Sequence, residues 1–314
     1  MIRASALAAG SFFILLACSL FSRAGAETHG KWQIRAPLPS SRTEVAAAEI
    51  GGKIYVIGGY SKNGNLVEVY DPQKDRWERR ASLPKRLHHT GAAAVTGKLY
   101  LIGGYISGTG AVDTVYEYDP GADRWTAKNP MPTARGALAV GVIAGKIFAV
   151  GGVGPDGKNT PTNQAYDPLQ DRWTPHAPMP TPRDHHAIGV INEKLHAIAG
   201  RIDGNHDRHI GVHEEYDPAT DRWSMRPAIP SIRSGTAAAT LNGKIFVFGG
   251  EYQRRTRNQV ESFDPVKNQW QSWADMPTAR HGLGAVAFGK SIYVISGGPR
   301  PGTSFSSVNE VFTP

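Results

Sequence analysis

The chain has 314 residues, with 35 lysines and arginines against 27 aspartates and glutamates, a formal net charge of +8 and one cysteine. One cysteine excludes a disulfide framework within the chain, and a charge this modest, with no nucleic-acid motif beside it, speaks against a nucleic-acid partner. A chain of this length buries enough apolar surface to fold without cross-links.

The first 26 residues read as a secretory signal peptide, apart from the fold. Arg3 supplies a short basic start, the stretch from Ala6 to Phe21 is mostly apolar, and Ala24-Gly25-Ala26 forms a small-residue cleavage site before Glu27. The apolar run falls short of the ~20 residues that span a bilayer, so no transmembrane anchor is expected. Leu15-Leu16-Ala17-Cys18 also resembles a lipobox, which would leave a lipid on Cys18. Cleavage after Ala26 is the favoured reading, because Leu16 is atypical at its lipobox position. A periplasmic or secreted location follows. Without its first 26 residues the chain keeps 33 basic and 27 acidic residues and has no cysteine. Thiolate nucleophiles, cysteine metal ligands and cysteine redox chemistry are then excluded.

From about residue 30 the chain repeats itself. The first full unit, Gly51 to Trp77, reads GGKIYVIGGYSKNGNLVEVYDPQKDRW. Glycine pairs recur at Gly58-Gly59, Gly103-Gly104, Gly151-Gly152, Gly249-Gly250 and Gly297-Gly298, with Ala199-Gly200 as a degenerate copy. The series Trp32, Trp77, Trp125, Trp173, Trp223 and Trp270 advances in steps of 45, 48, 48, 50 and 47 residues. A period in this range marks repeated β-blades. An aromatic residue stands seven positions before five of these Trp, at Tyr70, Tyr118, Tyr166, Tyr216 and Phe263, and Phe312 is the sixth aromatic.

Paired glycines after an apolar strand, then Tyr or Phe, then Trp seven residues on, resemble the kelch repeat. The resemblance implies an all-β fold: a six-bladed kelch β-propeller of four-stranded antiparallel blades. Blades are expected at about 43–83, 90–131, 136–179, 184–229, 234–276 and 281–314. The last lacks an outer strand, and residues 31–36 are expected to supply it, closing the ring. The whole of 27–314 is then one domain, expected to be a monomer. Innermost strands are alanine-rich, as at Ala46-Ala47-Ala48 and Ala92-Ala93-Ala94, because converging strands leave no room for larger side chains. The glycine pairs are not phosphate loops, since no helix or Lys-Ser/Thr follows them.

In such a blade the loops joining second to third strands share a face with those joining one blade to the next. These interblade loops carry Arg42, Arg86, Arg135, Arg183, Arg233 and Arg280, expected to surround the channel mouth. Beside them stand Glu44, His88, His89, Asp184, His185, His186, Ser234 and His281, and the fourth blade's loop adds Arg201, Asp203, His206, Asp207 and His209. A competing structural role for the arginines is a brace onto Glu68, Glu214, Glu261 and Glu310 on the third strands. Tyr116 and Gln164 replace that Glu in two blades, which singles out Arg86 and Arg135 as holders of an external carboxylate or phosphate. No H-E-x-x-H or comparable metal spacing occurs, so neither a metal nor a cofactor is expected. The copper-radical chemistry of galactose oxidase propellers is excluded with the cysteine its cofactor needs.

Binding of a glycan or protein segment with anionic groups is the leading functional reading, at a site of Arg42, Arg86, Arg135, Arg183, Arg233, Arg280, His89, His185 and Arg201. The alternative is an epimerase or mutarotase acting on an acidic sugar, as the resemblance to exported N-acetylneuraminate epimerase implies. Glu44 or Asp184 would then pair with His89 or His185 as acid and base.

Overall fold

A computed structural model describes Met1, residues 29–62 and residues 64–314. The signal peptide expected from sequence, after Met1, and Cys18 lie outside the described residues. The described chain is all-β, with six four-stranded antiparallel sheets arranged as the blades of a propeller. Blade one runs Ala46–Ile50, Lys53–Ile57, Val67–Asp71 and Arg76–Arg80 from the axis outward. The next three blades start at Gly91–Val95, Ala139–Ile143 and Ala187–Ile191, and blades five and six at Ala237–Leu241 and Gly284–Phe288. These inner strands pack each against the next in a closed ring. The outermost strand of blade six is Lys31–Ile34, paired with Asn309–Thr313 in the register Trp32↔Phe312.

The core is divided among the blade interfaces. Apolar clusters fill the wedge between each blade and the next, such as Tyr55, Val69, Leu99 and Tyr118 between the first two. A polar stitch crosses each wedge, an indole–carbonyl bond at all six and a Tyr–Asp–amide link at four of them. The Tyr118 hydroxyl donates to Asp123 at 2.5 Å, Asp123 accepts from the Ala81 amide at 2.8 Å, and the Trp125 indole donates to the Ala81 carbonyl at 2.9 Å. The repeated Tyr…Asp…Trp pattern is therefore a device that ties a blade to its predecessor.

The glycine pair serves the same junction. A Cβ on Gly58 would lie 2.5 Å from the Leu87 carbonyl oxygen, and Gly59 donates its amide to that carbonyl at 2.8 Å. In blade six the equivalent pair is Ser296-Gly297, with φ of 64° and 99°, one residue earlier than the Gly297-Gly298 expected from sequence.

Blade four carries a pair of buried histidines in its interior. His196 stands where the other blades have Tyr or Phe, its Nδ1 2.9 Å from Nε2 of His213. Glu215 lies 3.5 Å from the His196 Nε2 and accepts two hydrogen bonds from Arg226, at 2.8 and 2.9 Å.

Candidate functional site at the channel mouth

One residue from each interblade loop meets the propeller axis: Glu44, His89, Ala137, His185, Gly235 and Gly282. All six have positive φ, between 52° and 64°. Their backbones form a closed hydrogen-bonded circle in which each amide donates to the carbonyl of the preceding blade's residue. The six N···O distances run from 2.7 Å at Glu44→Gly282 to 3.1 Å at His89→Glu44 and His185→Ala137. A left-handed backbone suits glycine and costs an L side chain ~1–2 kcal/mol. Gly282 is held to glycine twice over, because a Cβ there would come within 2.5 Å of the Glu44 carboxylate. Three ring members nevertheless carry long polar side chains, and the three are Glu44, His89 and His185.

These side chains converge. One ligand-type atom from each of Glu44, His89 and His185 lies within 4.8 Å of the others. Glu44 Oε2 is 3.4 Å from His89 Nε2, and its Oε1 is 3.6 Å from His281 Nε2. In each histidine Nδ1 is engaged elsewhere: His89 with His88 Nδ1 at 2.5 Å, His185 with the buried Asp184, and His281 with the Gly298 carbonyl at 3.1 Å. Arg201 lies against the group. Its Nε donates to Asp184 at 2.9 Å and its Nη1 to Glu251 at 3.2 Å. Burial opposes the charge on Glu44, but His89, His185, His281 and Arg201 outweigh it and hold the carboxyl down at about 2. Burial pushes the His89 imidazole down to about 3 against the pull of Glu44. Asp184 also stays ionised, its burial overcome by His185 and Arg201.

The mouth above this floor is a cavity of about 260 Å³ lined from both loop sets, Glu44, His89 and His185 from one and Tyr60, Arg201 and Glu251 from the other. The Tyr60 and Phe305 rings stack at its rim, with centroids 6.1 Å apart. Two hollows away from the mouth, of about 510 and 620 Å³, lie between the turns of blades three and four and among the outer loops of the same blades. Neither gathers buried acids and bases as the mouth does, so the mouth is the candidate site.

Of the residues expected from sequence, His89, His185 and Arg201 line the mouth. The six interblade-loop arginines do not. Arg42, Arg135, Arg183, Arg233 and Arg280 are fully buried inside the blades. Four of them pair with the third-strand glutamates: Arg42 with Glu68 at 2.8 Å, Arg183 with Glu214 and Arg280 with Glu310 at 2.6 Å, and Arg233 with Glu261. Arg135, expected to lack a partner, donates to Gln164 at 3.0 Å and to the Gly151 and Thr162 carbonyls at 3.1 and 3.0 Å. No external anion reaches it. Arg86 is one residue out of register. The equivalent of the braced arginine in blade two is Leu87, buried in the same cluster as Tyr116, and Arg86 points to solvent. Where the carboxylate is lost, so is the guanidinium.

Adjacent side chains of an extended strand face opposite ways. His185 lines the mouth and His186 is buried beneath the ring, but His88 and His89 both reach the cavity. Sequence reasoning did not assign Glu251, Tyr60 or Phe305 to the site. The available signal for the floor was the repeat position that holds Gly235, Gly282 and Ala137 in half the blades.

Fold and site together define a propeller whose repeats build the frame while loops furnish one axial site. A model of the kelch motif matches residues 41–84, 86–132, 134–180 and 232–277, more than half of the chain, and the chain belongs to the kelch-repeat family. Among solved structures, that of YjhT is similar over 88% of this chain and 96% of its own, with a TM-score of 0.78 and 16% sequence identity, a likeness of fold. No curated protein matches the sequence.

Proposed function

We propose that this kelch propeller binds a glycan segment at the channel mouth. The observation that carries the reading is the convergence of Glu44, His89 and His185 on the axis beneath the stacked Tyr60 and Phe305. A sugar ring offers an apolar C–H face, which suits an aromatic platform, and hydroxyls, which suit carboxylate and imidazole partners. A second hollow of about 410 Å³ adjoins the mouth beside His206, Arg254 and Pro301, giving a chain of sugars room to continue outward. Anionic groups on the ligand belong there, against the exposed Arg254, because the floor has three carboxylates and one guanidinium. Export to the periplasm or beyond fits such a ligand and rests on the N-terminal pattern alone. A glycan array probed with the purified protein tests the reading: binding is expected for the unaltered chain and is lost in Tyr60→Ala. An array without a bound glycan, or with binding undiminished in Tyr60→Ala, rejects it.

A sugar epimerase or mutarotase is the second reading, favoured by two carboxylate–imidazole pairs, Glu44 with His89 and Asp184 with His185, at the floor of one cavity. Two such pairs could move protons on opposite sides of a sugar carbon or ring oxygen. Anomer exchange of acidic and neutral sugars, followed by NMR with and without the protein, distinguishes catalysis from binding.

A further inference from the structure

We propose that Glu44, His89 and His185 form a binding site for one divalent transition-metal ion of the zinc, iron or cobalt class. The inference stands apart from the glycan reading and rests on three observations.

The first is the donor set. One carboxylate and two imidazoles, brought from three blades to within 4.8 Å of one another, suit a borderline divalent ion rather than magnesium or calcium, which take oxygen ligands. Tetrahedral ligands at ~2.0–2.2 Å from an ion stand roughly 3.3–3.6 Å apart, so the three atoms must draw closer together as an ion enters. His281 Nε2, 3.6 Å from the other oxygen of Glu44, stands ready as a fourth donor.

The second is the orientation of the imidazoles. Metal-bound histidines characteristically have their second ring nitrogen held by a carboxylate, a carbonyl or another polar group. Asp184, fully buried, holds Nδ1 of His185, His88 meets Nδ1 of His89, and the Gly298 carbonyl holds Nδ1 of His281. Nε2 of His89 and of His281 then faces Glu44, at 3.4 and 3.6 Å, and Nε2 of His185 lies 3.4 Å from Arg201 Nη2.

The third is charge. Glu44, Asp184 and Glu251 bring three carboxylates to the cluster, and Arg201 is the one guanidinium or ammonium that pairs with them among the described residues. Glu251 Oε2, in a residue only 4% exposed, is buried without a hydrogen-bond partner beside the mouth. The three carboxylates outnumber the guanidinium by two. Buried charge is costly unless paired or bound to a metal, and a divalent cation closes that deficit. Arg201 Nη2, 3.4 Å from His185 Nε2, must move aside as the ion enters.

The test is a titration of chelator-stripped protein with Co²⁺, read by visible d–d absorption, followed by displacement with Zn²⁺. One Co²⁺ per chain is expected, with a spectrum of nitrogen and oxygen ligation. Affinity should fall at least 100-fold in His89→Ala and in His185→Ala, and about 10–100-fold in Asp184→Asn, which removes the charge behind His185. His176→Ala, at the opposite face, should leave it unchanged. His89→Ala places at one ring position the residue already present at Ala137, and Glu44→Gly copies Gly235 and Gly282, so these two variants keep the ring backbone while removing a ligand. Circular dichroism of each variant confirms folding. Failure of the unaltered protein to take up Co²⁺ stoichiometrically, or uptake undiminished in both folded His89→Ala and Glu44→Gly, overturns the proposal.

Discussion

Two rings of polar residues circle this propeller, and they differ in how they use the repeat. The buried ring holds Arg42, Arg135, Arg183, Arg233 and Arg280, nearly the same residue in every blade, each spending its donors on its own blade's carbonyls and third strand. The axial ring holds Glu44, His89, Ala137, His185, Gly235 and Gly282, six positions with one backbone conformation and four residue types. Repetition marks the groups that build the blade. Divergence over a constant backbone marks the groups free to serve a ligand, most of all where a long side chain tolerates a conformation that glycine would adopt without strain.

The comparison breaks most visibly if a buried arginine is removed. Arg183→Ala strands the Glu214 carboxylate in the blade, and urea unfolding should show a loss of about 3–5 kcal/mol. The double substitution Arg183→Leu/Glu214→Tyr, which copies Leu87 and Tyr116 of blade two, should recover most of it.

Blade four should give the next largest effect. Burial holds the imidazoles of His196 and His213 down, to about 4 and about 3, although Glu215 pulls both upward. Both values lie below the ~6.5 of an unfolded chain. The stability these groups contribute is therefore fully present above about pH 6.5 and is lost as the pH falls towards 3. Unfolding free energies from urea titrations across that window should fall by on the order of a few kcal/mol, and His196→Phe/His213→Asn, which copies Phe148 and Asn163 of blade three, should flatten the slope.

The interblade stitch is a smaller matter. Tyr118→Phe removes the hydroxyl from Asp123 and should cost about 1 kcal/mol in the same assay. Smallest of all are His89→Ala in the axial ring and Arg86→Ala on the surface, each expected within about 0.5 kcal/mol of the unaltered protein. A large loss in either would erase the distinction between the two rings.

The fold was legible in the sequence because its determinants recur every 45 to 50 residues, so six imperfect copies correct one another. The brace onto Glu68, Glu214, Glu261 and Glu310 was legible for the same reason. Reading broke down where a copy slipped. Arg86 sits one position before the slot that Leu87 fills, and Gly298 one position after the slot of Gly297, so residue identity alone misaligned both. The site was harder to read for a different reason. Glu44, His89 and His185 are separated by 45 and 96 positions and meet because the ring curves them onto one axis, a relation no local spacing encodes. One Arg per loop looked like a charged mouth, but a guanidinium beside a strand of carbonyls and a buried carboxylate has more to gain inside the blade than at the surface.

The most direct test of the division between frame and site is glycan-array binding by the triple variant Glu44→Gly/His89→Ala/His185→Gly beside the unaltered protein. The two-ring account predicts a variant that unfolds near the native midpoint and has lost the glycan bound by its parent. A folded variant that binds as its parent does would contradict it.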